Sequence, residues 1–224
     1  MKSQPRTYII CLAVLVFCTT ARLPAQEALT PQAALTRLKE GNTRFAADKP
    51  TTRDVTQKRR DEVAKGQHPF AVILTCADSR VSPELVFDQG LGDVFVVRVA
   101  GNVTDPAILG SIEYAVEHLK APLIVVLGHE SCGAVKAVIE KSHVEGNLEK
   151  LLKEVHVDDK LPEDKDQALA AGIKTNALFH AKQLTAQSPL IKDFVDHDRV
   201  QIAAGVYSLK SGKVDWLEPQ KGSK

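Results

Sequence analysis

The chain has 224 residues, 44% of them hydrophobic, with 29 Lys and Arg set against 28 Asp and Glu for a formal net charge of +1. That length and apolar fraction suit one well-filled α/β domain, and nothing in the composition calls for a second. The near-neutral balance excludes a basic stripe of the kind that binds nucleic acid.

The N-terminal stretch differs from the rest. Met1 to Tyr8 carries Lys2 and Arg6 without an acid, Ile9 to Cys18 is apolar, and Ala21-Arg22-Leu23-Pro24-Ala25 supplies small residues. The expectation is a cleavable secretory signal over residues 1–25, followed by a single domain over 26–224 that is periplasmic or secreted. The apolar run falls short of the ~20 residues of a transmembrane helix, so no stable membrane insertion is expected after cleavage. Phe17 ahead of Cys18 does not suit lipoprotein processing, which wants a small residue there. Losing Lys2, Arg6 and Arg22 takes the formal charge from +1 to −2, and losing Cys11 and Cys18 leaves Cys76 and Cys132 as the only thiols. In an oxidising compartment two such cysteines also suit a disulfide.

Thr30 before Pro31 is a helix start, a hydroxyl N-cap with proline at the first position, and Leu35, Leu38, Asn42 and Phe45 continue one face. The charged segment from Lys49 to Lys65 predicts a short surface helix. Five strands are expected: Phe70 to Cys76, Val94 to Val99, Leu123 to Gly128, Val200 to Leu209 and Lys213 to Leu217. The first three are near-continuous apolar runs, as buried parallel strands are. Helical patterns at Pro83 to Phe87, Pro106 to Leu119 and Ala134 to Lys141 separate or follow them. From Ser142 to Thr185 two more helices are expected, Asn147 to Val157 and Gln167 to Leu184, with no chemistry assigned to either. Ser211-Gly212 marks a closing hairpin. The fold class is therefore α/β: a mostly parallel open sheet of four to five strands flanked by helices, with an N-terminal helical arm.

Two strand ends carry reactive groups. Cys76-Ala77-Asp78-Ser79-Arg80 follows the first strand, and Gly128-His129-Glu130-Ser131-Cys132-Gly133 follows the third. If those strands are neighbours, their ends lie roughly 5 Å apart. Cys132 would then return from the first turn of the next helix. Cys76, His129 and Cys132 offer two thiolates and an imidazole, and three protein ligands with one open position is the pattern of a catalytic zinc. A disulfide would need no imidazole three residues away. Zinc lowers the pKa of its water from 15.7 toward ~7 to ~9, and two anionic ligands keep it toward the upper end, so alkaline pH should favour activity. Asp78 is close enough either to ligate the metal or to accept a hydrogen bond from its water; Arg80, gripping the carboxylate, would hold it to the second role.

The two motifs together resemble those of the β-class carbonic anhydrases, which carry C-x-D-x-R and H-x-x-C. The likeness runs from about Leu29 to Leu217 and includes Val97-Arg98-Val99-Ala100-Gly101-Asn102 and Ser111-Ile112-Glu113-Tyr114-Ala115. The resemblance implies zinc-dependent reversible hydration of CO2 to bicarbonate by zinc-hydroxide attack, with Asp78 and Arg80 as catalytic dyad. It also implies a homodimer or dimer of dimers, and a substrate pocket of Gln67, Phe95, Tyr114 and Gly133. Gln67 lies nine residues before Cys76, roughly 30 Å along an extended chain, so its pocket role would be played at a partner subunit's zinc. The same is expected of Phe95 and Tyr114. Some family members bind bicarbonate at a second site built on a Trp three residues before the first zinc Cys; Ile73 stands there, so no such switch is expected despite Arg98 and Tyr207. The nearest alternative is hydrolysis of carbonyl sulfide or carbon disulfide by the same zinc chemistry; further off are a thiol redox protein and a phosphate-binding loop at Ser79-Arg80.

Overall fold

A computed structural model describes residues 29–218; the expected signal segment lies outside the described residues. The chain opens with α1, Pro31–Ala46, where Thr30 Oγ1 accepts a hydrogen bond from Ala33 N and Pro31 occupies the first turn. The short charged helix α2 covers Gln57–Val63. Then come β1 (Ala71–Thr75), α3 (Pro83–Val86), β2 (Val94–Arg98), α4 (Pro106–Glu117) and β3 (Leu123–His129). A 3-10 turn, Ala100–Asn102, separates β2 from α4. The second half runs α5 (Gly133–Ile139), α6 (Asn147–Leu152), α7 (Lys165–Gln187), α8 (Pro189–Asp196), β4 (Gln201–Tyr207) and β5 (Val214–Leu217).

The five strands form one sheet in the order β2-β1-β3-β4-β5. The first four are parallel, and β5 returns antiparallel to β4 across the turn at Ser211-Gly212. Every residue of β1 and β3 is buried, as befits central strands covered on both faces. Alternation divides their side chains between two layers. Ala71, Ile73, Leu123, Val125 and Leu127 pack under α1 with Phe87, while Val72, Leu74, Ile124 and Val126 pack under α4, α7 and α8. Each of the Val, Leu and Ile side chains among them contributes about 1.5–3 kcal/mol when fully buried.

Helix α1 lies unusually close to its neighbour. A Cβ on Gly41 would fall 1.9 Å from the carbonyl oxygen of Phe87, so only glycine permits this approach. Buried Asn42 fastens the same helix, donating Nδ2 to Val86 O at 3.1 Å and Gly212 O at 2.8 Å and accepting from Val214 N at 2.8 Å.

Two differences from the sequence reading bear on the site. Strand β1 begins at Ala71, so the chain from Gln67 to Phe70 is loop; the strand itself spans only about 17 Å of the expected path. Helix α8 and the Ala100–Asn102 turn are elements that the sequence reading does not assign.

Candidate metal centre

From β1 the chain leaves to one side, toward β2, and from β3 it leaves to the other, toward β4. The carboxyl ends of β1 and β3 therefore flank a topological switch point, where helices diverge and leave a crevice. The parallel register pairs Thr75 with Leu127, which sets Cys76, one residue past β1, level with Gly128. His129 is the last residue of β3, and Cys132 occupies the N-cap of α5 rather than its first turn. One donor atom from each of Cys76, His129 and Cys132 lies within 4.8 Å of the others, with all three residues buried.

The donor set fits a zinc ion on the evidence of its hydrogen bonds. His129 Nδ1 lies 2.8 Å from Glu130 O, and a carbonyl can only accept, so the ring proton sits on Nδ1 and Nε2 presents its lone pair. That Nε2 is buried without any hydrogen-bond partner. An orphaned buried acceptor beside two thiols is otherwise costly, and a divalent cation resolves it. The thiols agree: both are free. The proton of Cys132 serves Cys76, so Cys76 is held well below the ordinary thiol range and Cys132 well above it, because ionising both would place two buried negative charges side by side. Only a cation between them allows two thiolates.

Asp78 and Arg80 form the expected fork. Arg80 Nε donates to Oδ1 at 2.9 Å and Nη2 to Oδ2 at 2.7 Å, and the Arg80 backbone N–H adds a third bond to Oδ1 at 2.9 Å. These donors hold the Asp78 carboxyl well below the usual carboxylate range, against the opposing effect of its burial. Oδ2 lies 3.9 Å from His129 Nε2, so the ionised carboxylate borders the donor set while Arg80 grips it.

The expected pocket residues divide. Gly133 adjoins Cys132, and a Cβ there would meet nothing within 4 Å, so the approach is open at that point. Phe95 pairs with Val72, four residues before Cys76, about 13 Å down the sheet. Tyr114 is 46% exposed on α4, with its ring 6.3 Å from that of Phe95. Gln67 is exposed in the loop before β1. Within one chain these three are not gathered at the ligand set.

Several contacts escape sequence reasoning. Arg98 donates Nε to Cys76 O at 3.2 Å and Nη2 to Asp78 O at 2.6 Å, bracing the loop that carries a ligand and the carboxylate. Gly101 N donates to Cys76 Sγ at 3.3 Å. The region from Ser142 to Thr185, expected to lack chemistry, contributes Asn176, whose Nδ2 reaches Gly101 O at 2.7 Å. The segment around Arg98 and Gly101 is legible as a motif, but its contacts run through backbone atoms and carry no side-chain signature.

A family model described as carbonic anhydrase matches residues 71–214, from the start of β1 to the start of β5. Carbonic anhydrase 2 of Mycobacterium tuberculosis is 61% identical over 109 residues, 49% of this chain and 53% of that protein, so the match spans about half the relative's length. A β-carbonic anhydrase of Coccomyxa, solved in complex with acetazolamide, superposes with a TM-score of 0.67 at 29% identity, covering 82% of this chain and 86% of that one. One of the tetrameric β-carbonic anhydrases of Sordaria macrospora gives 0.64 at 25% identity, covering 70% and 85%. Because the matched segment contains the four parallel strands and the Cys76, His129 and Cys132 cluster, the chain belongs to the β-class carbonic anhydrase family.

Proposed function

We propose that the protein is a zinc-dependent carbonic anhydrase, an enzyme that interconverts CO2 with bicarbonate and a proton. The observation that carries this reading is the buried cluster of Cys76, His129 and Cys132, with an unpartnered imidazole nitrogen, bordered by a carboxylate clamped in an arginine fork. Zinc held by those three residues supplies Lewis acidity that lowers the pKa of water toward neutrality. Asp78, kept ionised, accepts a hydrogen bond from the reacting water and turns its lone pair toward the CO2 carbon. Arg80 holds the carboxylate to that task and away from the ligand set. Cys76 and Cys132 carry negative charge at the site and so oppose formation of a further anion, which moves the working range toward alkaline pH.

Stopped-flow CO2 hydration across pH, with zinc per chain measured on the same sample, tests the proposal. One zinc per chain with activity rising toward alkaline pH supports it. Zinc without CO2 hydration overturns it.

The reading extends to assembly. Strand β2 is an edge of the sheet among the described residues, and Tyr114, Leu85 and Leu91 are exposed by 46%, 47% and 42%. A homodimer or dimer of dimers would cover such apolar surface and bring Gln67, Phe95 and Tyr114 to the partner's site. The protein is further proposed to be exported to the periplasm or beyond. Support comes from the sequence of residues 1–25, and a mature N-terminus near Gln26 in material recovered outside the cytoplasm would bear this out.

A further inference from the structure

Two residues one turn apart on α7 tie the same pair of loops together. Asn176, 1% exposed, donates Nδ2 to Gly101 O at 2.7 Å and accepts at Oδ1 from His156 N at 2.9 Å. His180, also 1% exposed, accepts at Nδ1 from Thr104 N at 3.1 Å and turns Nε2 to Glu154 O at 3.1 Å. Each therefore takes one partner from residues 101–104 and one from residues 154–156, as a four-residue helical spacing allows.

The loop held in this way touches the metal centre. Gly101 has φ +74, a left-handed backbone, and a Cβ there would fall 3.0 Å from Val155 Cγ2 and 3.2 Å from Ala134 Cβ. The Asn176 amide fixes the Gly101 carbonyl, and the Gly101 N–H on the other side of the same residue points at Cys76 Sγ, 3.3 Å away. A hydrogen bond to a thiolate draws electron density from the sulfur, so the group that aims the N–H also sets how strongly that sulfur donates to a metal.

We propose that Asn176 is a positioning residue for the metal centre: by holding the Gly101 carbonyl it keeps the Gly101 N–H on Cys76 Sγ and weakens that ligand's donation to bound metal. The inference rests on the metal-centre reading above. A residue that merely stapled two loops would affect stability and leave the electronic character of the sulfur unchanged.

The test replaces zinc with Co2+ in the full-length wild-type protein, in N176A, in N176L and in L184A, and records the sulfur-to-cobalt charge-transfer absorption. Leu184 is buried on the same helix but in the layer facing Val72 and Leu74, away from the metal-site loops. Both Asn176 variants are expected to shift the band to longer wavelength, since a thiolate without its N–H donor gives up electrons more easily. L184A, also destabilised, is expected to keep the wild-type band. A wild-type band with unshifted Asn176 variants overturns the proposal and leaves the metal centre intact, whereas a wild-type protein without any such band overturns the metal centre itself. Should N176A and N176L not fold, N176D decides, because it keeps an acceptor for His156 N and loses the donor to Gly101 O: a shifted band supports the proposal, and a wild-type band overturns it.

Discussion

Asp78 is the residue on which chemistry and electrostatics meet. Its carboxylate has three donors from Arg80 and none from the ligand set, so its removal should leave the metal in place. Asp78→Ala is expected to retain one zinc per chain and to lose activity by roughly 10²-fold or more, the usual scale for deleting a group that acts on the reacting water. Cys76→Ser, His129→Ala and Cys132→Ser are expected instead to lose zinc, as metal analysis after gel filtration would show. The ligands and the fork were legible because each is a short motif of chemically distinctive side chains. Gly101, Arg98 and Asn176 were not, because their contacts join a peptide group to a partner 22, 25 or 75 residues away, and no local pattern marks such a pairing.

Among the elements, α1 depends on an approach that tolerates no side chain. Gly41→Ala would drive a methyl group into the Phe87 carbonyl, and the overpacking is expected to cost about 1–3 kcal/mol or more, read as a lower urea midpoint. Helix propensity would point the other way, since alanine favours a helix by ~1 kcal/mol over glycine, so the sign of the measured change separates packing from propensity. All five strands lie where apolar runs place them, and the first seven helices lie where helical patterns place them, although α2 begins eight residues into the charged stretch expected to carry it and α6 ends five residues early. The eighth is harder to read. Ser188-Pro189 is the same hydroxyl-then-proline signal as Thr30-Pro31, but Ser188 both closes α7 and caps α8, so no loop separates the two helices.

At the scale of the whole molecule, burial of His180 links stability to pH. Its pKa is lowered to about 4, chiefly because burial penalises the charged ring, against ~6.5 in an unfolded chain. Between those values the unfolded chain binds a proton that the folded one refuses. Stability therefore falls as pH drops from ~6.5 toward 4, by up to ~1.4 kcal/mol per unit, and His180 adds no slope above that window. Urea midpoints of wild type and H180Q taken between about pH 7 and 5 should show a shallower decline in the variant; parallel declines would assign the acid sensitivity to other groups.

The two strands that supply the metal ligands are neighbours in space, yet His129 follows Cys76 by 53 positions, with β2 and α4 made in between. At about 5–20 residues per second, synthesis leaves the first thiol without its imidazole partner for roughly 3–10 s. All three donors are brought into one cluster by the pairing of β3 with β1, so binding of a metal there and assembly of the sheet favour one another. During that interval Cys76 is an unliganded thiol, and whatever environment the nascent chain meets must keep it reduced until Cys132 and His129 arrive.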